Sequence, residues 1–372
     1  MKKVLISSIL FILISCGGSW QNTCQESIMK NSDLICLSEV SEGYRVQVKN
    51  PWRNDVMLQS YLLSTKDKTD YTYSAQHNAI HIPLRKVVVM TNIHARLLSE
   101  LGLVDNIAGI CEQQYISDST IISRCLAGTI IDCGNGMYPN IEKIIELKPD
   151  AILVSAFEET GYGQLEKLGI PIIECADYME KSPLGRAEWI RLFGRLFGVE
   201  EVADSLYNKI EREYLEMKDM TSRIKEKRPS VMLDTKGGSA WYVAGGNSTI
   251  GQMIQDAGGE YVFSQNEKSG SIPLSFESVF DKAHDADIWL MKNSSSTMLT
   301  YNLLAADYKL YSDFKPFKTR QIWVCDVNDV PYFEVTSFHP EILLRDFISI
   351  FHPGLSDSYE TSFYHRLDSV QN

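Results

Sequence analysis

One uninterrupted helical pattern, residues 199–227, constrains this chain more than any other stretch. Apolar residues fall at Val202, Leu206, Ile210, Tyr214, Met217 and Ile224, with charged residues between them, so a single stripe recurs at helical spacing. No glycine or proline interrupts it, and Arg228-Pro229 then closes it. A helix of about 28 residues reaches roughly 40 Å, longer than most globular helices. The heptad continues on neither side, and each flank carries its own α/β pattern. The stretch therefore reads as a spine between two lobes rather than as a coiled coil.

Ahead of the spine, strand-like runs at 85–91, 107–110, 151–155 and 171–174 alternate with helical patterns at 93–101, 141–147 and 164–168, and a further helical region at 185–197 leads into the spine. Behind it, strands at 230–234, 287–291 and 321–325 alternate with helices at 249–257, 275–284 and 340–351. Such alternation implies mostly parallel sheets covered by helices. The expected fold is α/β, with two lobes of mostly parallel sheet joined by one long rigid helix. A small N-terminal β segment precedes them, where Tyr44, Val46 and Val48 alternate with polar residues. The expected boundaries are a targeting segment at 1–16, a tether and β segment at 17–84, lobes at 85–198 and 228–356 around the spine at 199–227, and a tail at 357–372. A ligand is expected in the crevice between the lobes, at the carboxyl ends of the strands.

The formal net charge of −12, with no basic stripe, excludes a nucleic-acid partner. Lys2 and Lys3 precede an apolar run at 4–14, too short to span a bilayer, and Leu13-Ile14-Ser15-Cys16-Gly17 has the form of a bacterial lipobox. Cys16 is thus the expected lipidation site, tethering an extracytoplasmic body to a membrane of the cell envelope. Among the other cysteines Cys24 and Cys36 can pair near the N-terminus, and no C-x-x-C motif supports structural zinc.

Two function classes can be weighed on residue types alone. A receptor for free zinc or manganese ions needs converging ligands, yet the seven histidines are scattered, His77 and His81 being the one pair at helical spacing. A hydrolase or dehydrogenase needs a motif, but Gly161-Tyr162-Gly163 lacks the third glycine of a dinucleotide fingerprint, and 246–251 misses a nucleophile elbow by one residue. Both read as turns, so no catalytic residue and no resident cofactor is expected.

Two segments correspond across the spine. Pro139-Asn140-Ile141-Glu142 opens a short helix ahead of one strand, and Pro273-Leu274-Ser275-Phe276-Glu277 opens one ahead of another. Asn140 and Ser275 are capping residue types, and each glutamate falls in a first turn, where the helix dipole favours an acid. The runs PNIEKIIELKPDAILV (139–154), LEKLGIPII (165–173) and FHPEILLRDFISIFHP (338–353), with the long central helix, resemble the helical-backbone substrate-binding lipoproteins of ABC importers for iron-siderophore complexes, haem and cobalamin. The similarity spans about residues 85–355. It implies a monomeric receptor, not an enzyme, whose lobes enclose a metal chelate (a ferric siderophore first, cobalamin or haem next) and present it to a membrane permease. By the same resemblance Glu142 and Glu277, one on each lobe, form salt bridges with permease arginines. Ligand contacts are expected from strand ends facing the crevice: Asn92, His94, Tyr138, Phe157, Glu158, Trp241, Tyr242, Lys292, Tyr332 and Phe333. Their aromatic faces suit a corrin, porphyrin or catecholate, and a cation suits an anionic chelate. Trp241 and Tyr242 are the foremost candidates, and His94 is a possible axial ligand were the cargo haem.

Overall fold

A computed structural model describes residues 26–65, 78–158, 161–355 and 359–367. The targeting segment with Cys16, and also Cys24 and His77, lie outside the described residues. Cys36 is disulfide-bonded, with its partner outside them too.

The N-terminal lobe is built on a five-stranded parallel sheet in the order Ile131–Asp132, Ile107–Ile110, Val87–Val89, Ala151–Ser155, Ile172–Cys175. Its central strands are apolar and buried on both faces over Val87–Val89 and residues 151–154, as helices on each side require. The C-terminal lobe repeats the plan as Glu260–Tyr261, Ser230–Leu233, Ile288–Asn293, Ile322–Asp326, His365–Arg366, of which the last alone is antiparallel. That last strand corrects the expected tail, because Asp346, buried on the closing helix, accepts the amides of Ser362, Phe363 and Tyr364 and fastens the segment to the lobe. A small antiparallel sheet of Lys236–Gly237, Ala240–Ala244 and Ser271–Leu274, not anticipated from the pattern, covers one flank.

The spine is Glu200–Ser222, 23 residues and about 34 Å long. It is shorter than the pattern implies, and its buried face is Ala203, Tyr207, Ile210, Tyr214 and Thr221. Val202 is exposed, so the stripe is displaced by one residue in the first half. Two acids explain how the helix serves both lobes. Near its start Asp204 receives Arg191 and Arg195 from the N-lobe helix Ile190–Phe197. Near its end Tyr214 Oη donates to Asp256 of the C lobe at 2.8 Å, Lys218 Nζ pairs with the same carboxylate at 3.0 Å, and Thr221 Oγ1 donates to the Asp256 carbonyl. The helix ends where this docking is complete, although the residues beyond it are good helix formers.

The N-terminal segment is a four-stranded sheet, Ile35–Val40, Gly43–Lys49, Met57–Ser64 and Asn78–His81. It is clasped to the N lobe rather than draped on it. Buried Glu188 accepts the amides of Lys30, Asn31 and Ser32, and buried Glu180 accepts those of Asp33 and Leu34 with the Ser32 hydroxyl and the Trp189 indole N–H. Burial of these carboxylates without such donors would be costly. Gly185 is required at the joint, since a Cβ there would stand 2.6 Å from the Asn31 carbonyl oxygen.

Candidate functional site

In each lobe the first strand pairs on one side with the strand that follows it and on the other with one reached after the chain reverses direction. A topological switch point, where open α/β sheets leave a crevice, therefore lies between Val87–Val89 and Ala151–Ser155, and another between Ser230–Leu233 and Ile288–Asn293.

At the N-lobe point a cavity of about 570 Å³ opens beside Met90 and Val154, walled by Met137, Tyr138, Phe157 and Tyr162. Local chain chemistry shapes it. Gly134 takes a left-handed turn at φ 88°, which residues with a Cβ rarely adopt, and the Gly136 amide donates to Glu112 at 2.9 Å. The loop is thereby held as a shelf that leaves Tyr138 86% exposed at the mouth. Phe157, 46% exposed, rests against the ring of Tyr178, whose hydroxyl donates to the Ala156 carbonyl at 2.8 Å. Tyr162 Oη donates to Glu174 at 2.8 Å, and burial followed by that carboxylate raises its pKa well above the ordinary phenol value. Tyr138 and Tyr162 each combine an apolar face with a polar tip and Phe157 adds an apolar face, a set that suits the organic shell of a bulky ligand.

The C-lobe point is closed. Asp234, in a left-handed conformation at φ 53°, receives Lys292 Nζ on both carboxylate oxygens at 2.7 and 2.9 Å, and Trp289 Nε1 donates to its carbonyl. Burial works to lower the Lys292 pKa, but Asp234 outweighs it and the group stays cationic. Tyr332 lies beside this pair, its hydroxyl pushed up to about 12, foremost by burial.

The short helix Tyr332–Thr336 joins the two points. Its Glu334, 4% exposed, accepts from the Ser117 amide at 3.2 Å, the Ser117 hydroxyl and Asn92 Nδ2, all in the N lobe. Next to it His339 places Nε2 2.9 Å from Glu100 of the N lobe and Nδ1 2.8 Å from Glu341. Burial opposes protonation of His339, yet the two carboxylates outweigh it and raise the pKa to about 9, so both nitrogens donate. Helix Tyr332–Thr336 thus ties the two lobes together, with Glu334 held by Asn92 and Ser117 of the N lobe and Tyr332 beside the C-lobe ion pair.

This geometry sorts the expected ligand residues. Tyr138 and Phe157 wall the cavity, and exposed Glu158 lines a neighbouring small cleft; Asn92, Lys292, Tyr332 and Phe333 lie outside the cavity lining, around the contact that helix Tyr332–Thr336 makes between the lobes. Two expectations are corrected by burial. Trp241, 0% exposed, stacks on Trp289 at 5.9 Å among Phe276, Tyr311 and Phe314, so it is core and presents no surface to a ligand. His94, 1% exposed, has both ring nitrogens engaged, with Thr91 Oγ1 at 2.9 Å and Asp177 at 3.0 Å, and cannot serve as an axial ligand. Tyr242 is exposed but lies opposite Pro273 on the small sheet, beside the start of the Glu277 helix rather than at a switch point. Met90, Glu112, Met137 and Tyr162 were missed; of these only Tyr162 had a signal, an aromatic between two glycines just after a strand.

Glu142 and Glu277 are both exposed in the first turns of corresponding helices, Ile141–Leu147 and Phe276–Ala283, capped as expected by Asn140 and Ser275. The Glu277 pKa is lowered, first by its own backbone N–H and then by the Ser275 hydroxyl. Among the described residues no cluster of three or more His, Cys, Asp or Glu side chains has the arrangement of a metal cage.

Comparison with known proteins agrees with this architecture. The periplasmic binding protein family profile matches residues 87–327, and the chain belongs to that family. Its members are solute-binding receptors of ABC importers, not enzymes. An uncharacterized lipoprotein of Methanocaldococcus jannaschii is 26% identical over 92% of this chain and 85% of its own length. The petrobactin-binding protein of Bacillus subtilis is 28% identical over 55% of this chain and 63% of its own. A periplasmic heme binding protein from Pseudomonas aeruginosa superimposes with a TM-score of 0.58 at 17% identity, covering 78% of this chain and all of that one, which speaks to the fold.

Proposed function

We propose that this receptor carries a metal chelate, a ferric siderophore first and cobalamin or haem next, and delivers it to the permease of one ABC importer. The observation that carries this reading is the aromatic, largely apolar cavity at the N-lobe switch point, which is sized for an organic shell rather than for a bare ion. Relatives named for petrobactin and cobalamin support it. The ligand rests on Tyr138 and Phe157, with Glu158, Asn92, Lys292, Tyr332 and Phe333 around it. The protein acts as a monomer, held by lipid on Cys16 outside the cytoplasm; relatives named as lipoproteins favour that placement.

Exposed Glu142 and Glu277 dock the permease, since acids on opposite lobes orient a basic partner. Reversing both to lysine should abolish uptake while chelate affinity holds; normal transport by the double variant would refute the docking role. The cargo is tested by thermal shift with ferric siderophores, haem and cobalamin. A specific ligand at 100-fold excess over its Kd stabilises by about 2.7 kcal/mol, and absence of a shift with every chelate would end the reading.

A further inference from the structure

The crevice offers a ligand almost no positive charge. Among the described residues lining the N-lobe cavity, Glu112 is the one charged side chain, and no lysine, arginine or histidine joins it. Glu112 is fixed rather than swinging, its carboxylate accepting the Gly136 amide at 2.9 Å and Gln114 Nε2 at 2.8 Å. The segment 157–166, which supplies Phe157 and Tyr162, carries Glu158, Glu159 and Glu166 and no base. Across the crevice the cation of the C-lobe point is already neutralised, since Lys292 spends its charge on both oxygens of Asp234. Arg53 lines a separate small cleft that shares Phe157 and Gly161 with the cavity, and Glu158 and Glu174 line that cleft with it.

We propose that this crevice selects neutral or cationic chelates and rejects polyanionic ones. The inference rests on the reading that the cargo is a chelate and adds which charge class it has. An anion entering the cavity loses water and gains no counter-charge, and a buried ion without a partner is costly. It also meets Glu112 at close range, the kind of unmatched charge by which sites exclude competitors. A neutral chelate gives up nothing of this sort, and one bearing an ammonium group gains Glu112 as a partner. The overall charge of −12 repels polyanions at long range in the same sense.

Three ferric chelates separate charge from shape: a neutral tris-hydroxamate, a tris-hydroxamate bearing a free ammonium group, and a trianionic tris-catecholate. Fluorescence titration of the full chain at low ionic strength should give a Kd at least 100-fold tighter for the first two than for the third. Equal or tighter binding of the catecholate overturns the charge inference and leaves the receptor reading standing. Failure of all three, and of haem and cobalamin, sinks the receptor reading and this inference with it. Glu112→Gln should narrow the gap between the ammonium chelate and the catecholate about tenfold. If that variant does not fold, salt serves instead: raising ionic strength should narrow the same gap in the unaltered protein, and a gap indifferent to salt counts against the inference.

Discussion

The two switch points arise from the same strand arrangement and have opposite chemistry. In the N lobe the point is open, aromatic and nearly uncharged; in the C lobe Asp234 and Lys292 close it with an ion pair. Topology thus determines where a crevice forms, and a handful of side chains at the strand ends determine whether it takes up apolar surface or is sealed against it. The lobes have unequal tasks on this view: one supplies contact area, the other a rigid polar wall.

The largest expected effect tests that inequality directly. Tyr138→Ala combined with Phe157→Ala should weaken chelate binding about 100-fold, about 2.7 kcal/mol, whereas Tyr242→Ala, at an exposed C-lobe aromatic away from the switch point, should leave the Kd within about twofold. Comparable losses from the two variants, measured by titration, would mean that both lobes grip the ligand alike.

The next effect concerns what keeps the points facing one crevice. His339 has a folded pKa of about 9 against an ordinary 6.5, so its contribution is complete below pH 6.5 and is lost as pH rises through about 9. The Glu100 pKa is lowered from 4.5, foremost by His339 against the opposing effect of burial, so its share is present above pH 4.5 and is lost on acidification. Stability should therefore peak between these limits and fall by about 1–2 kcal/mol by pH 9.5, a fall that His339→Gln should flatten. Identical pH profiles for the two proteins in chemical denaturation would show that the bridge does not couple the lobes.

The smallest effect addresses the sealed point. Asp234→Ala leaves Lys292 without its partner, and because both groups keep some solvent exposure the loss of stability should be only about 1 kcal/mol. The same variant should bind a trianionic chelate about tenfold better, since the C-lobe wall becomes cationic. If its preference is unchanged, the ion pair does not border the ligand.

The elements were readable wherever pattern and cause are local. Alternation marked both sheets, and the caps at Asn140 and Ser275 followed from residue type and position. The site was readable only in part, because it depends on pairings distant in sequence. Asp234 and Lys292 meet only because Leu233 lies opposite Leu290 in the sheet, and no pattern along the chain states that register. Trp241 was misplaced for a related reason: neighbours on a strand point to opposite faces, so one of Trp241 and Tyr242 had to be core once the other was exposed. The spine ended early because Thr221 and Tyr214 dock on Asp256, a tertiary contact that helix propensity cannot register.

The clasp of Glu180 and Glu188 on residues 30–34 also has a mechanical side. Under the proposed lipidation of Cys16, about ten residues separate the membrane from Glu26, at most roughly 35 Å of extended chain. The clasp transmits that short mooring to the N lobe, and the Asn31 side chain passes it on to Tyr207 and Glu211 of the spine. A receptor berthed in this way swings about one end, and the lobe that carries the open cavity rides closest to the quay.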